Sequence, residues 1–162
     1  MKKYVILTVL MLLLCGCGTS ETYETVADEY LQPVMAEPRE VRVDLPEESV
    51  MPAMETEKGT LYLCEDYDVI LQILDSGDLE ATVRAVSGFD MEDLTLIQTA
   101  AGEIDQYEFV WSAAGESGQQ IGRATVLDDG NYHYVLCATI DAQRMEEYQE
   151  VWNGIFESFH LS

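Results

Sequence analysis

The sequence predicts an α+β fold, in which an antiparallel sheet is covered by a C-terminal helix and a shorter mid-chain helix. Two observations carry this prediction. Strand-like alternation recurs in several segments, most clearly over residues 105–111, where Tyr107, Phe109 and Trp111 fall on one face. Helical spacing dominates the end of the chain, where large apolar residues recur every three or four positions over residues 145–159.

The first strands are predicted in short apolar segments before residue 75. Residues 41–45 alternate strictly between apolar and polar side chains, and the pattern stops at Pro46. Residues 60–64 and 68–74 predict two further strands, and the acidic turn between them makes a hairpin.

The mid-chain helix is predicted after Asp78, whose side chain can accept a hydrogen bond from the first helical turn. Leu79, Val83 and Val86 recur at helical spacing, and Gly88 can end the helix in a left-handed conformation. Because this apolar stripe is narrow, we expect the helix to pack on another element.

Beyond this helix the chain is expected to turn and to enter the sheet again. Met91 and Leu94 are expected to point inward, and residues 94–99 predict a strand.

The last two strands are predicted over residues 120–127 and 131–140. Gly130 and Asn131 tolerate positive φ, so the segment between the strands has hairpin-turn chemistry. The final strand is apolar on both faces, which predicts a central position covered on both sides.

The C-terminal helix is expected to begin at about Ala142, with Asp141 as its cap. Its apolar face is broad and consists of Met145, Tyr148, Val151, Trp152, Ile155, Phe156 and Phe159. The polar face is acidic, whereas membrane-surface helices are usually basic, so packing against the sheet is the favoured interpretation.

This order of elements resembles the PsbP-like fold, which photosystem extrinsic subunits share with several bacterial lipoproteins. The residues that carry the resemblance are 132–159, with support from residues 41–46. The resemblance implies a non-enzymatic role in binding or assembly. It assigns no functional residue, because no site motif of the family can be matched position by position.

The start of the chain reads as an export signal. Lys2 and Lys3 precede an apolar run over residues 4–14, which covers only about half of a ~30 Å hydrocarbon core. Leu14-Cys15-Gly16-Cys17 then resembles the lipobox of bacterial lipoproteins, with Cys17 as the lipid acceptor. Cys15 fits poorly, because Leu14 would then occupy a cleavage position that accepts only small side chains.

The lipobox resemblance implies cleavage after Gly16 and a diacylglyceryl thioether on Cys17. Two acyl chains would make an essentially permanent membrane anchor. The expected location is the outer face of the bacterial cytoplasmic membrane, or a periplasmic leaflet in a diderm. The alternative is an ordinary signal peptide followed by secretion, but an A-x-A-like site is missing downstream.

Three segments follow from these patterns. Residues 1–16 are the predicted lipoprotein signal peptide, residues 17–40 are a lipid-anchored acidic tether rich in Thr, Glu and Pro, and residues 41–162 are a single α+β domain.

Charge excludes one large class of partners. The chain has 31 acidic and 8 basic residues, for a net charge of −23, and removal of Lys2 and Lys3 makes it more negative. Nucleic-acid binding needs a basic surface that releases counterions from phosphate, so no nucleic acid is expected as a partner. The surface itself indicates solubility, with a cationic partner or loosely held divalent ions as the sharper alternative.

Candidate chemistry is limited. His133 and His160 are the only histidines and lie outside any metal-ligand spacing, so neither zinc nor another metal or cofactor is predicted. His133 is interpreted as a hydrogen-bonded sheet residue. Acidic residues cluster at Glu65, Asp66 and Asp68, at Asp90, Glu92 and Asp93, and at Asp128 and Asp129. Such clusters could perform glycosidase chemistry or hold calcium, but solvated turns are the favoured interpretation.

Cys64 and Cys137 are the thiols that remain after processing, apart from the lipidated one. Export would permit a disulfide between them, provided that their strands bring the Cα atoms within about 7 Å. The alternative is two unpaired cysteines packed as small hydrophobic residues.

Two functional hypotheses remain. The first, which we favour, is a membrane-anchored binding or assembly module that holds an envelope protein, a peptide or a small ligand on the sheet face or in a pocket beside the terminal helix. The second is a carboxylate-dependent hydrolase or carbohydrate-active enzyme of the cell envelope.

Overall fold

A seven-stranded antiparallel sheet forms the centre of the structure. The computed structural model describes residues 36–49, 51–115 and 118–162. The strands are β1 (Val41–Arg42), β2 (Met54–Thr56), β3 (Gly59–Leu63), β4 (Tyr67–Asp75), β5 (Ile97–Ala101), β6 (Ile104–Ala114), β7 (Gln119–Asp128), β8 (Tyr132–Asp141) and β9 (His160–Leu161). The helices are α1 (Leu79–Ser87) and α2 (Met145–Ser158), with short 3₁₀ turns at Glu47–Ser49 and Met91–Asp93.

Two meanders make the sheet. Its strand order is β2-β3-β4-β8-β7-β6-β5, so the chain leaves β4 through α1, crosses to the far edge and returns strand by strand to β8. β4 and β8 pair over nine positions, from Tyr67 opposite Ile140 to Asp75 opposite Tyr132. β8 therefore lies in the middle of the sheet, as its two apolar faces predicted. β1 and β9 pair with each other in a separate two-stranded sheet.

The sheet separates two apolar cores, because side chains alternate between its faces. One core packs under α2 and includes Tyr134, Leu136, Trp152, Ile155 and Phe156. The other packs under α1 and includes Val83, Phe109, Trp111, Val126 and Val135. The result is a three-layer arrangement of helix, sheet and helix, in which Ala36–Ser162 make one compact unit.

Local chemistry places α1 where the sequence predicted it. The Asp78 Oδ1 accepts the backbone N–H of Ala81 at 2.9 Å, and Gly88 ends the helix with φ of +79°. Val83 is fully buried against the sheet.

Several predicted boundaries are wrong. α2 begins at Met145 rather than Ala142, and Asp141 does not cap it. The Asp141 carboxylate instead accepts the N–H of Gln143, so residues 141–144 form a turn between β8 and the helix. Val151, predicted on the apolar face, is 37% exposed.

The segment after α1 also differs from its prediction. Met91 lies in a 3₁₀ turn and is exposed, whereas Leu94 packs on the core under α1 as expected. The next strand is Ile97–Ala101, because Leu94 and Leu96 are used to bury the connection. The strand predicted over residues 41–45 shortens to Val41–Arg42, since β9 offers only two residues for pairing. Patterning missed both β2 and β9, which are too short to alternate visibly.

Residues 36–40, predicted as the end of the tether, lie against the domain. The Tyr132 hydroxyl donates to the Ala36 carbonyl at 2.8 Å, and the Arg39 N–H donates to the Tyr134 hydroxyl at 2.7 Å. The Glu40 carbonyl accepts the N–H of Ser162.

No helix among the described residues is long and apolar enough to cross a membrane.

Candidate functional site

An apolar cavity of about 200 Å³ lies beside the C-terminal end of α2. The turn between β2 and β3 forms one wall, and Thr60 and Gly59 continue that wall into β3. The apolar lining residues are Val41, Leu71, Ile73, Val135 and Phe159. Val41 of β1 and Phe159 bound the cavity on one side, and the β2–β3 hairpin bounds it on another.

A second depression of about 240 Å³ lies along the same hairpin. It includes Met54, Leu61, Ile70 and Leu74. Met54 pairs with Leu61, and Leu61 pairs with Ile70, so these three side chains share one sheet face. Leu71 and Ile73 alternate with Ile70 and so lie on the other face, with the core under α2. The hairpin therefore separates two apolar depressions.

The surface around the hairpin has several exposed apolar side chains. Met51 is 84% exposed, Met54 60% and Leu63 55%. Methionine side chains adapt to irregular partners, and exposed apolar clusters commonly mark binding surfaces.

Lys58 is the basic residue of this region and lines both depressions. Its carbonyl accepts the N–H of Ile73 at 2.9 Å, which fixes the turn against β4. Its ammonium group makes no ion pair with any residue that the structure describes, whereas Arg42, Arg84, Arg123 and Arg144 are all paired. Glu57 lies on the same rim, so the mouth of the cavity is polar and its floor is apolar.

Sequence reasoning expected a pocket beside the terminal helix but did not identify its walls. The wall is formed by the short strand Met54–Thr56 and the following Glu57-Lys58-Gly59 turn, for which no element was predicted. Gly59 was the available signal: a Cβ there would lie 2.7 Å from the Leu71 carbonyl oxygen, so the two strands approach each other closely at this point.

His133 is a hydrogen-bonded sheet residue, in agreement with its interpretation from sequence. Its Nδ1 lies 2.7 Å from the Thr82 Oγ1, and its Nε2 lies 3.4 Å from both the Ser76 Oγ and the Asp128 Oδ2. The ring is 1% exposed, and the network joins α1 to the β7–β8 hairpin. A base needs access to a substrate proton, and this ring lies outside the residues that line the cavity.

One carboxylate in each of two acidic clusters binds groups of the domain itself. Asp66 receives two hydrogen bonds from Arg144, at 2.6 and 2.9 Å, and one from the Tyr148 hydroxyl at 2.6 Å. Asp90 pairs with Arg84. Across the described residues, no group of three or more His, Cys, Asp or Glu side chains has the geometry of a metal site.

The Asp66 contact dominates the ionisation of Tyr148. The hydrogen bond to Asp66 and then burial raise the pKa of Tyr148 to about 12 from an ordinary value of 10.0. We expect Asp66→Asn to lower this pKa by about one to two units, since the amide carries no charge. Spectrophotometric titration of tyrosinate, compared with Tyr148→Phe to identify the transition, measures the shift. Glu92→Gln, beyond α1, serves as the control that leaves the transition unchanged.

Cys64 and Cys137 are unpaired in the structure, so the candidate disulfide is not formed. Cys64 packs beside the core under α2, whereas Cys137 belongs to the core under α1, so the sheet lies between them. The Cys64 Sγ lies 2.7 Å from the Oγ of the buried Ser49. Burial raises the pKa of Cys137 to about 12, which makes it an unreactive thiol. Cys17, the predicted lipidation site, lies outside the described residues.

The fold defines the class of the domain. It is an α+β domain in which an antiparallel sheet is covered by a long C-terminal helix on one face and a shorter helix on the other, and this fold is similar to the PsbP-like fold. No protein-family model matches the sequence, and no curated protein matches it either.

Two solved structures are similar to it. LpqN, described as involved in cell envelope biogenesis of Mycobacterium tuberculosis, superposes with a TM-score of 0.50 at 12% identity, over 78% of this chain and 86% of LpqN. The PsbP protein CyanoP of the cyanobacterium Synechocystis sp. PCC 6803 superposes with a TM-score of 0.50 at 10% identity, over 78% of this chain and 84% of CyanoP. These similarities confirm the predicted fold class.

Proposed function

We propose that this protein is a lipid-anchored, extracytoplasmic lipoprotein of the cell envelope that acts as a non-enzymatic binding module. The observation that carries the proposal is the apolar cavity between the β2–β3 hairpin and the C-terminal end of α2. Apolar depressions with a few polar groups at the rim are the usual form of small-ligand sites.

The chemistry of the cavity favours binding over turnover. Five aliphatic or aromatic residues line it, and its polar lining comes from the β2–β3 hairpin and from Gln72 of β4. Asp66, Asp128 and His133 are hydrogen-bonded inside the domain and do not line the cavity, so Glu57 is the one carboxylate at its rim. A hydrolase that uses these carboxylates would need them to face a substrate.

The size of the cavity defines the class of ligand. Apolar cavities of about 150 Å³ hold one benzene molecule, and about 200 Å³ accommodates a somewhat larger aromatic or acyl group. Lys58 and Glu57 lie at the rim, where the polar end of such a ligand would remain in water.

Two features support the envelope location. The Leu14-Cys15-Gly16-Cys17 motif follows a short apolar signal, and LpqN, a structural neighbour, is described as involved in cell envelope biogenesis. The compact unit begins at Ala36, so residues 17–35 connect the proposed anchor to the domain.

Ligand binding is tested with 1-octanol as the probe, by NMR titration of the full chain carrying Cys17→Ala. We expect saturable shifts at Leu71 and Ile73. Thr60→Phe should weaken binding by about tenfold or more, because Thr60 lies opposite Leu71 and the ring would fill the cavity. Thr99→Phe, on an exposed strand at the other edge, is the matched control. Equal binding by both variants would place the ligand elsewhere.

Anchoring is tested by detergent-phase partitioning and by mass spectrometry of the protein expressed in a bacterial host. The wild type and Cys15→Ala should carry diacylglycerol and enter the detergent phase. Cys17→Ala should remain in the aqueous phase without lipid. A Cys15→Ala variant that loses its lipid would refute the assignment of Cys17.

A further inference from the structure

The edge strand β5 lacks the features that usually protect a sheet edge. Its residues Ile97–Ala101 pair with β6 on one side, and no strand among the described residues pairs with them on the other. Residues 95–102 contain no charged residue and no proline, in a chain that is 24% charged. Natural proteins generally place lysine, proline or a bulge at such an edge, because its free backbone groups can pair with another strand.

The opposite edge of the same sheet shows the usual protection. β2 is only three residues long, has Glu55 at its centre and is followed by Glu57 and Lys58. The two edges therefore differ in length and in charge, and β5 is the one suited to pairing.

The fold holds β5 in place for pairing. Leu94 and Leu96, just before the strand, pack on the core under α1, and all five residues of β5 pair with β6. The backbone groups of the free edge are therefore already arranged as a partner strand would need them, which lowers the entropy cost of binding.

One exposed apolar side chain lies on this edge strand and a second on its neighbour β6. Ile97 is 60% exposed and stands opposite Glu108, and Val110, 56% exposed, lies two residues further along the same face of β6. An added strand would bring alternate side chains against Ile97, since side chains of paired strands on one face are neighbours.

Carboxylates lie at both ends of the strand. Glu92 and Asp93 precede it, Glu103 and Asp105 follow it, and none of them forms an ion pair with a described residue. A second copy paired antiparallel through β5 would bring these carboxylates against one another, and like charges placed directly opposite destabilise a pair of strands. A segment with basic residues at both ends would complement them in either direction.

We propose that β5 is a docking site for an extended segment of a partner protein, which adds to the sheet as an eighth strand. The segment has an uncharged core of about five residues with lysine or arginine at both ends, matching the five residues of β5 and its acidic flanks. This site is separate from the cavity and does not depend on the ligand proposed for it.

Hydrogen exchange with mass spectrometry tests the proposal on the full-length protein in nonionic detergent. The probe is a short peptide of alternating threonine and valine with two lysines at each end. We expect slower exchange confined to residues 94–102, and weaker binding at high salt. The same peptide with glutamates at its ends, or with a central proline, should not bind. Protection elsewhere, or equal binding of the glutamate-ended peptide, would overturn the proposal.

Matched variants separate docking from folding. Ile97→Glu should weaken peptide binding by about tenfold or more, because it adds a charge beside the apolar core of the peptide. Val151→Glu, which changes an exposed apolar residue on α2, should bind the peptide normally. If Ile97→Glu disturbs the fold, the double variant Asp93→Asn with Glu103→Gln provides a second test. Peptide binding to this variant should depend less on salt concentration than binding to the wild type. Dimerisation through β5 in sedimentation analysis, without peptide binding, would assign the edge to a second copy instead.

Discussion

Replacing Gly122 with alanine is expected to lower the free energy of unfolding by about 3 kcal/mol or more. Gly122 lies on β7 opposite Trp111, and a Cβ at this position would meet the carbons of the indole ring at 2.2 Å. The ring cannot move aside easily, because Trp111 is 9% exposed and packs against Phe109 in the core under α1. Urea unfolding followed by far-UV circular dichroism measures the change without relying on the displaced tryptophan.

Gly154→Ala provides the opposite expectation. Gly154 lies within α2, and a Cβ there would meet nothing within 4 Å. Alanine loses less conformational freedom than glycine when a helix forms, so the free energy of unfolding of this variant should rise by about 0.5–1 kcal/mol. Similar losses in both variants would contradict the close packing of Trp111 on Gly122.

Removing the hydroxyl of Tyr134 is expected to destabilise the domain by about 2 kcal/mol. This hydroxyl accepts the N–H of Arg39 at 2.7 Å and donates to the Asp129 carboxylate at 2.9 Å, so it joins the N-terminal segment to the β7–β8 turn. In Tyr134→Phe the side chain stays buried while both hydrogen bonds are lost.

Tyr132→Phe is the matched control on the same face of β8. Its hydroxyl makes one exposed hydrogen bond, to the Ala36 carbonyl, so the loss should stay below about 1 kcal/mol. Chemical denaturation of the two variants side by side gives the difference. Equal losses would mean that the buried link to Asp129 contributes nothing beyond an exposed hydrogen bond.

Asp129 makes this link depend on pH. Burial acts to raise its pKa, but the N–H groups of Tyr132 and Asn131 and the hydroxyl of Tyr134 together hold the pKa below its ordinary value. A lowered pKa in the folded state gives stability that is present above the unfolded value of about 3.9 and is lost as the pH falls through the folded value. Asp129→Asn should therefore be less stable than the wild type at pH 7, with the difference shrinking below about pH 4.

Asp68 should behave in the opposite way. Burial raises the pKa of this carboxyl, so its charged form is less favourable in the folded protein and its contribution to stability grows as the pH falls through the raised value. Asp68→Asn is expected to raise the midpoint of thermal unfolding at pH 7. A decrease would show that the charge of Asp68 has a stabilising partner.

Most of the architecture followed from local pattern. The alternation over β6 and the apolar stripe of α2 each indicate a face that must be buried, and burial of that face determines the type of element. The turn residues between β7 and β8 indicate where the hairpin reverses. Asp78 and Gly88 bounded α1 correctly, since a cap depends on residues next to it in sequence. Asp141 was assigned the same role wrongly, because its carboxylate binds the Gln143 N–H within a turn before the helix begins.

The candidate sites were less accessible to sequence reasoning. The cavity joins Val41, Leu71 and Phe159, which are far apart in the chain and meet only because β1, β4 and the end of α2 converge. The sequence permits a disulfide between Cys64 and Cys137. Only the tertiary structure shows that the two side chains pack on opposite faces of the sheet.

The sequence by itself determined the fold class, the order of the longer elements, the strongly acidic surface and the motif that indicates a lipid anchor. These properties depend on residue type and on spacing within single elements, which a sequence states directly. The tertiary structure alone decided the strand order, the position of the apolar cavity, the contrast between the two sheet edges and the packing of Trp111 on Gly122. Those properties depend on which distant segments come into contact. These contacts form only when the whole chain folds and buries its apolar faces against one another.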